Sequence, residues 1–229
     1  MLIAPQNLPE NVARVRERIA KAAADAGRAV ESVTLLAVGK AHPVEALRAA
    51  AELGIRHFGE NYLREALTKI SALRDLGLTW HFIGRMQANK TRDVAERFAW
   101  AHTVDRLRIA QRLSDQRPHD AAPLNICIQV NLAAEVSKGG TSPEELPALA
   151  AEVAALPRLK LRGLMCLPPP GETRWFAQLR RLLASLNASG MQLDTLSMGM
   201  SADLEAAILQ GATIVRIGTA VFGERESAR

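Results

Sequence analysis

Short β-branched runs alternate along the chain with longer segments of helical period, and this alternation sets the expected fold class. The strand-like runs are VTLLAVG from Val33, RHFG from Arg56, WHFI from Trp80, AHTV from Ala101, NICIQV from Asn125, LRGLMCL from Leu161, DTLSM from Asp194 and TIVRIG from Thr213. Between them, Val44, Leu47 and Ala51 share a helix face that ends at Gly54, and Leu63, Leu67 and Ile70 share another. Leu146, Leu149, Val153 and Leu156 repeat the pattern. That helix is expected to open on a capping box of Ser142 and Glu145 with Pro143 at its first position, and to stop before Pro157. A leading helix from about Pro9 to Ala26 gathers Val12, Val15 and Ile19 on one side.

Eight strand-helix units in 229 residues leave roughly 29 residues for each, which suits a compact (β/α)8 TIM barrel. The expected architecture is therefore α/β, one domain over residues 1–229, with a leading helix in 1–30 and the barrel in 33–225. A doubly wound open sheet is the main alternative. In a barrel, functional side chains belong at the C-terminal ends of the strands and in the loops that follow them.

With 48% apolar and 23% charged residues, a disordered, collagen-like or disulfide-stapled chain is excluded. The balance of 29 Lys and Arg against 24 Asp and Glu gives a net charge of +5, a charge that attracts nucleic acid, membranes or phosphorylated small molecules. The cations are scattered, however: Arg14, Arg16, Arg18 and Lys21 stand among Glu10, Glu17 and Asp25, as on a solvated helix face. Aromatic residues make up only 4%, and no RNA-binding signature is seen, so nucleic acid is not an expected partner. No segment has the apolar run of a signal peptide or a membrane span, so a cytoplasmic location is expected. Cys127 and Cys166 lie in apolar strand-like runs with no metal-ligand spacing, as reduced packing residues do.

Candidate chemistry appears where strands end. The first strand runs straight into Lys40, whose amine, neutral once desolvated, could attack a carbonyl and form a Schiff base. In the eighth, alternation sets Arg216 opposite Val215 and Ile217, so that its cation points into the barrel and must meet an anion or an acceptor. After the seventh strand, SMGMSADLEAAILQG places Ser201 to cap a helix running to Gln210, and the eighth strand is followed by Gly218 and Thr219. The loops after strands seven and eight are the recurrent phosphate position of this architecture. Asp203 and Glu205 would repel a phosphate unless they point away. A lysine at strand one, an arginine in strand eight and this cradle together suit pyridoxal 5′-phosphate, its aldehyde on Lys40, its ring nitrogen facing Arg216 and its phosphate against Ser201, Gly218 and Thr219.

Read in order, VTLLAVGK, HFGENY, WHFIGRMQANK, ICIQVN, VSKGG, LRGLMCLP, SMGMSADLEAAI and VRIGTAVFGER resemble the YggS-like pyridoxal phosphate homeostasis proteins, also called the alanine racemase N-terminal-domain-like family, from about Val33 to Arg225. The resemblance implies a fold-type III barrel that binds the cofactor through Lys40, with Asn61, Ser201, Arg216, Gly218 and Thr219 in the pocket. It also implies His81, Asn131 and Met165 as strand-end residues lining the pocket; from the residues themselves, His81 reads equally as a satisfied core histidine and Asn131 as a turn residue. Three positions depart from the family pattern. Gly39 stands where a serine commonly precedes the lysine, Arg85 where proline is common, and His42 where a lysine is often found. The last removes a basic residue on which a second, low-affinity cofactor site would draw, while Lys138 of VSKGG remains.

A racemase needs two bases, one on each face of the substrate. In alanine racemases the second is a tyrosine from an additional β domain, whereas here the sole tyrosine is Tyr62, at the start of the helix after strand two. The resulting expectation is a protein that holds and hands over pyridoxal phosphate without turnover, to cofactor-dependent apo-enzymes as recipients, as a monomer or weak homodimer in the cytoplasm. A minimal racemase or lyase using Lys40 with water or His81 as second base, and a cofactor-free Schiff-base aldolase acting on a phosphorylated sugar, are the competing readings.

Overall fold

The computed structural model describes residues 7–135, 139–169 and 171–224; Lys138 and Arg225, named above, lie outside them. In chain order the elements are α1 (Leu8–Asp25), β1 (Thr34–Val38), α2 (Val44–Glu52), β2 (His57–Glu60), α3 (Leu63–Ala72), β3 (Thr79–Phe82), α4 (Thr91–Arg97), β4 (Trp100–Val104) and α5 (Leu107–Gln116). They continue with β5 (Leu124–Gln129), α6 (Leu146–Ala154), β6 (Leu159–Met165), α7 (Arg174–Ala188), β7 (Thr195–Ser197), α8 (Leu204–Leu209), β8 (Ile214–Ile217) and α9 (Thr219–Phe222). All strand pairs are parallel, and the sheet closes on itself in the order β1 to β8. The β1–β8 pairing, with Leu36 opposite Arg216, excludes the open doubly wound sheet.

Strand alternation divides the apolar side chains into two groups. Outward positions such as Ala37, Phe58, Ile126, Val215 and Ile217 join the helices in one continuous buried layer. Leu36, Ile83, Trp100, Cys127, Met165 and Ile214 form a separate cluster on the inward positions. Most barrels fill that interior with branched hydrocarbon. Here His81, His102, Ser197 and Arg216 share it, each at most 4% exposed.

The leading helix α1 buries Val12, Val15 and Ile19, as their spacing predicts, and packs against α2, α8 and α9 outside the β1–β8 seam. Of two further local expectations, one is met and the other only in part. In the helix after β5, Ser142 Oγ accepts from the Glu145 N–H at 3.2 Å and the Ser142 carbonyl from the Leu146 N–H at 3.1 Å, the cap expected of that pair, and the regular helix runs from Leu146. On α3 the buried positions are Ala66 and Lys69, while Leu63, Leu67 and Ile70 are only half-buried. The helix directs a cation at the barrel for a reason given by the site.

Strands β6 and β7 approach most closely at Gly163, which pairs with Thr195 and whose added Cβ would lie 1.8 Å from the Thr195 carbonyl oxygen. Backbone cannot yield to that contact as a flexible side chain can. The Gly163→Ala variant is expected to lose about 3 kcal/mol of stability, the upper end of the usual overpacking cost, seen in urea unfolding as a lower midpoint at unchanged slope; an unaltered midpoint would contradict the close approach.

Candidate functional site

At the end of β1 the backbone on both sides of Lys40 is pinned. Lys69 Nζ donates to the Gly39 carbonyl at 2.6 Å, and the Ala41 N–H donates to Glu65 Oε1 at 2.7 Å. Lys69 is itself held by Glu60 Oε1 at 2.9 Å and Glu65 Oε1 at 2.5 Å. The clamp keeps Ala41 at φ 62, a left-handed conformation that a residue with a Cβ rarely adopts. The lysine buried on α3 is thereby explained: it ties the loop after β1 to β2 and α3. The amine of Lys40, between these anchors, lies 5.2 Å from the centre of the exposed Tyr62 ring.

Glu60 is fully buried, and its Oε2 has no hydrogen-bond partner. Burial pushes this carboxyl from 4.5 up to about 7; the charge and hydrogen bond of Lys69 pull it down, and Glu65 pushes it further up. The same carboxylate occupies the space beside Gly39, where an added Cβ would come within 2.4 Å of Glu60 Oε1 and 2.9 Å of Leu47 Cδ2. The departure from serine at position 39 suits this packing.

Arg216, on β8 beside β1, donates from Nη1 to Ser197 Oγ at 2.8 Å and from Nη2 to the Cys166 carbonyl at 2.9 Å. Burial lowers its pKa from the usual arginine value, but a guanidinium stays charged in proteins. The two cysteine thiols near it are buried and pushed up to about 12, so they remain protonated packing groups.

The loops after β7 and β8 meet at Ser201, whose Oγ accepts from the Ala220 N–H at 3.3 Å. Ser201 therefore does not cap α8: the residue before that helix is Asp203, whose Oδ1 accepts from the Met200 N–H at 2.6 Å. Glu205 is also engaged, paired with Arg18 of α1 at 2.6 Å, and Arg18 Nη2 donates to the Ser201 carbonyl at 2.9 Å. Both acids that would repel an anion here are thus occupied.

These parts enclose a cavity of ≈ 350 Å³ at the C-terminal end of the barrel, within the range usual for small-molecule sites. Lys40, Asn61, Ser201, Arg216, Gly218 and Thr219 line it, with Val38, Ile83, Leu167 and Met200 as apolar walls. Three expected residues do not. His81 is fully buried beneath it, hydrogen-bonded to His57 and His102 and stacked on Trp100 at 5.3 Å. Met165 is fully buried in the inward cluster. Asn131 closes its own loop, exchanging bonds with the Glu135 backbone at 2.9 and 3.2 Å, beside a separate small pocket. Sequence reading missed Glu60, Lys69, His102 and Ser197. Of these, only the Glu65–Lys69 spacing of four gave a signal. Among the described residues, no group of three or more His, Cys, Asp or Glu is placed to hold a metal ion.

Residues 3–226 match the family described as alanine racemase, N-terminal domain. A pyridoxal phosphate homeostasis protein of Pseudomonas aeruginosa is 58% identical over 224 residues, covering 96% of each chain. The chain belongs to the pyridoxal phosphate homeostasis family. A solved member, PipY of Synechococcus elongatus PCC7942 with PLP bound, is 39% identical with a TM-score of 0.79, covering 90% of this chain and 100% of that one. The alanine racemase of Clostridium difficile 630, 16% identical with a TM-score of 0.73, shares the fold over 96% of this chain and 57% of its own length. Against the family pattern, His42 is nearly buried, its ring 4.7 Å from that of Phe222.

The raised Glu60 pKa has a defined sign. The unfolded chain ionises first, so the contribution of Glu60 to stability is full below about 4.5 and is lost as pH rises through about 7. Glu60→Gln keeps an acceptor for Lys69 and removes the titration. Urea unfolding should show the native protein losing stability relative to this variant between those pH values; parallel profiles would contradict the assignment.

Proposed function

We propose that this protein binds pyridoxal 5′-phosphate through Lys40 and serves the intracellular supply of that cofactor, in the cytoplasm and without turnover of its own. One observation carries the reading: an amine, a buried guanidinium and the paired loops after β7 and β8 all line one cavity. Lys40 supplies the nucleophile for an aldehyde, and the condensation releases one water. Ser201, Gly218 and Thr219 would offer hydroxyl and amide donors to a phosphate, and Arg216 would meet the ring nitrogen. Asn61, Val38 and Ile83 complete the wall. His81, Met165 and Asn131 act outside this contact set. The solved PLP-bound relative supports the same ligand.

What supports binding over catalysis is that no second base lines the cavity among the described residues. Besides Lys40, the ionisable side chain among the described residues lining the cavity is Arg216, whose guanidinium stays charged and so cannot serve as a base. Arg216 adds to this, because a cation beside the ring nitrogen disfavours its protonation and weakens the cofactor as an electron sink. Transfer to apo-enzymes, by a monomer or weak homodimer, would draw on the reversible bond that Lys40 can make to an aldehyde.

Addition of pyridoxal phosphate to the apo-protein should give the absorbance of a lysine imine, and borohydride should fix the mass of one cofactor on Lys40. Lys40→Ala should lose both signals. Retention of either in the variant would overturn the reading, and exchange of an amino acid α-proton with deuterated water would transfer it to the minimal racemase or lyase.

A further inference from the structure

Beneath the cavity a single row of hydrogen bonds crosses the barrel interior. From Arg216 Nη1 it passes to Ser197 Oγ at 2.8 Å, and from Ser197 to His102 Nδ1 at 2.8 Å. It continues from His102 Nε2 to His81 Nδ1 at 2.9 Å and from His81 Nε2 to His57 Nδ1 at 3.0 Å. The row thus joins β8, β7, β4, β3 and β2. His81, His102 and Ser197 are fully buried, and His57 is half-buried at the start of its strand.

We propose that Ser197, His102, His81 and His57 form a positioning array for Arg216, in which the cation sets the direction of every hydrogen bond and the row in return holds the guanidinium toward the ligand. The proposal rests on the pyridoxal phosphate reading for the identity of that ligand.

The direction follows from hydrogen-bonding inventory. A guanidinium only donates, so Ser197 Oγ accepts from Arg216. The hydroxyl hydrogen then has one acceptor among the described hydrogen bonds, His102 Nδ1. His102 must therefore carry its proton on Nε2 and donate to His81 Nδ1; His81 in turn donates from Nε2 to His57 Nδ1. Reversing the row would aim two donors at Ser197 and leave its hydroxyl hydrogen buried without a partner, a costly arrangement. An imidazolium at His81 or His102 would donate on both sides and break the row. Burial also disfavours it: His102 is lowered to about 3, with Arg216 as the second cause, and His81 lies well below its ordinary value. Trp100, stacked at 11° on His81, packs against one face of that ring.

Among the described residues, Arg216 makes no ion pair; its hydrogen-bond partners are Ser197 and the Cys166 carbonyl. A carboxylate would neutralise the cation and compete for its N–H groups. Neutral imidazoles, each turning a lone pair toward Arg216, stabilise the charge without cancelling it. The remaining guanidinium N–H groups stay free to meet a ligand in the cavity.

The test uses the full chain labelled with 15N at histidine. In the cofactor-free protein at neutral pH, long-range 1H–15N spectra should show Nε2 protonated and Nδ1 unprotonated for His57, His81 and His102. An Nδ1–H tautomer or an imidazolium at any of them overturns the array. Ser197→Ala should give His102 a mixture of tautomers and weaken pyridoxal phosphate binding about tenfold, and Ser197→Thr, which keeps the hydroxyl, should restore both. Unchanged tautomers and affinity in Ser197→Ala would also overturn it. If the native protein takes up no pyridoxal phosphate, the ligand reading fails, while the tautomers of the free protein still decide the array.

Discussion

A cation inside a closed ring of strands is the constraint around which this molecule is arranged. Burying Arg216 carries a desolvation penalty of several kcal/mol unless its hydrogen bonds are satisfied. Among the described residues that demand is met without a carboxylate, by a serine hydroxyl and a backbone carbonyl. An interior that usually holds branched hydrocarbon is consequently polar across much of its width. The charge remains available on the cavity side, where a ligand with an acceptor atom would complete its coordination.

The strand register brings the second functional group to the first. Because β8 pairs with β1 and Arg216 stands opposite Leu36, Lys40 lies four residues further along the same seam, and both line the cavity. Rigidity there comes from Lys69 and Glu65, which grip the peptide groups on either side of Lys40. The leading helix supports the opposite rim, since Arg18 holds both Glu205 and the Ser201 carbonyl. Each half of the cavity is thus braced from outside the barrel.

The strands were legible within about two residues of their ends, because buried parallel strands make β-branched runs bounded by breakers. Lys40, Arg216 and the Ser201 and Gly218–Thr219 loops were legible for a related reason: a polar side chain at the rim of an apolar strand contradicts its surroundings. The missed residues are those whose role exists only in three dimensions. Lys69 looks like a solvated helix lysine until α3 packs on β2. His102 and Ser197, 95 positions apart, meet only because β4 and β7 face each other across the barrel. His81 sits two residues before Ile83, the position of this segment that lines the cavity, and no local pattern reports how deep a strand position lies. Ser201 has the composition of a helix cap, but contact with the Ala220 N–H competes for its hydroxyl.

The most direct measurement is a crystal structure of the protein soaked with pyridoxal phosphate. The account predicts density continuous with Lys40 Nζ, a ring nitrogen against the Arg216 guanidinium and a phosphate between Ser201 and Gly218–Thr219. A ligand bound elsewhere, or a Lys40 side chain turned away to solvent with the cofactor present, would contradict it.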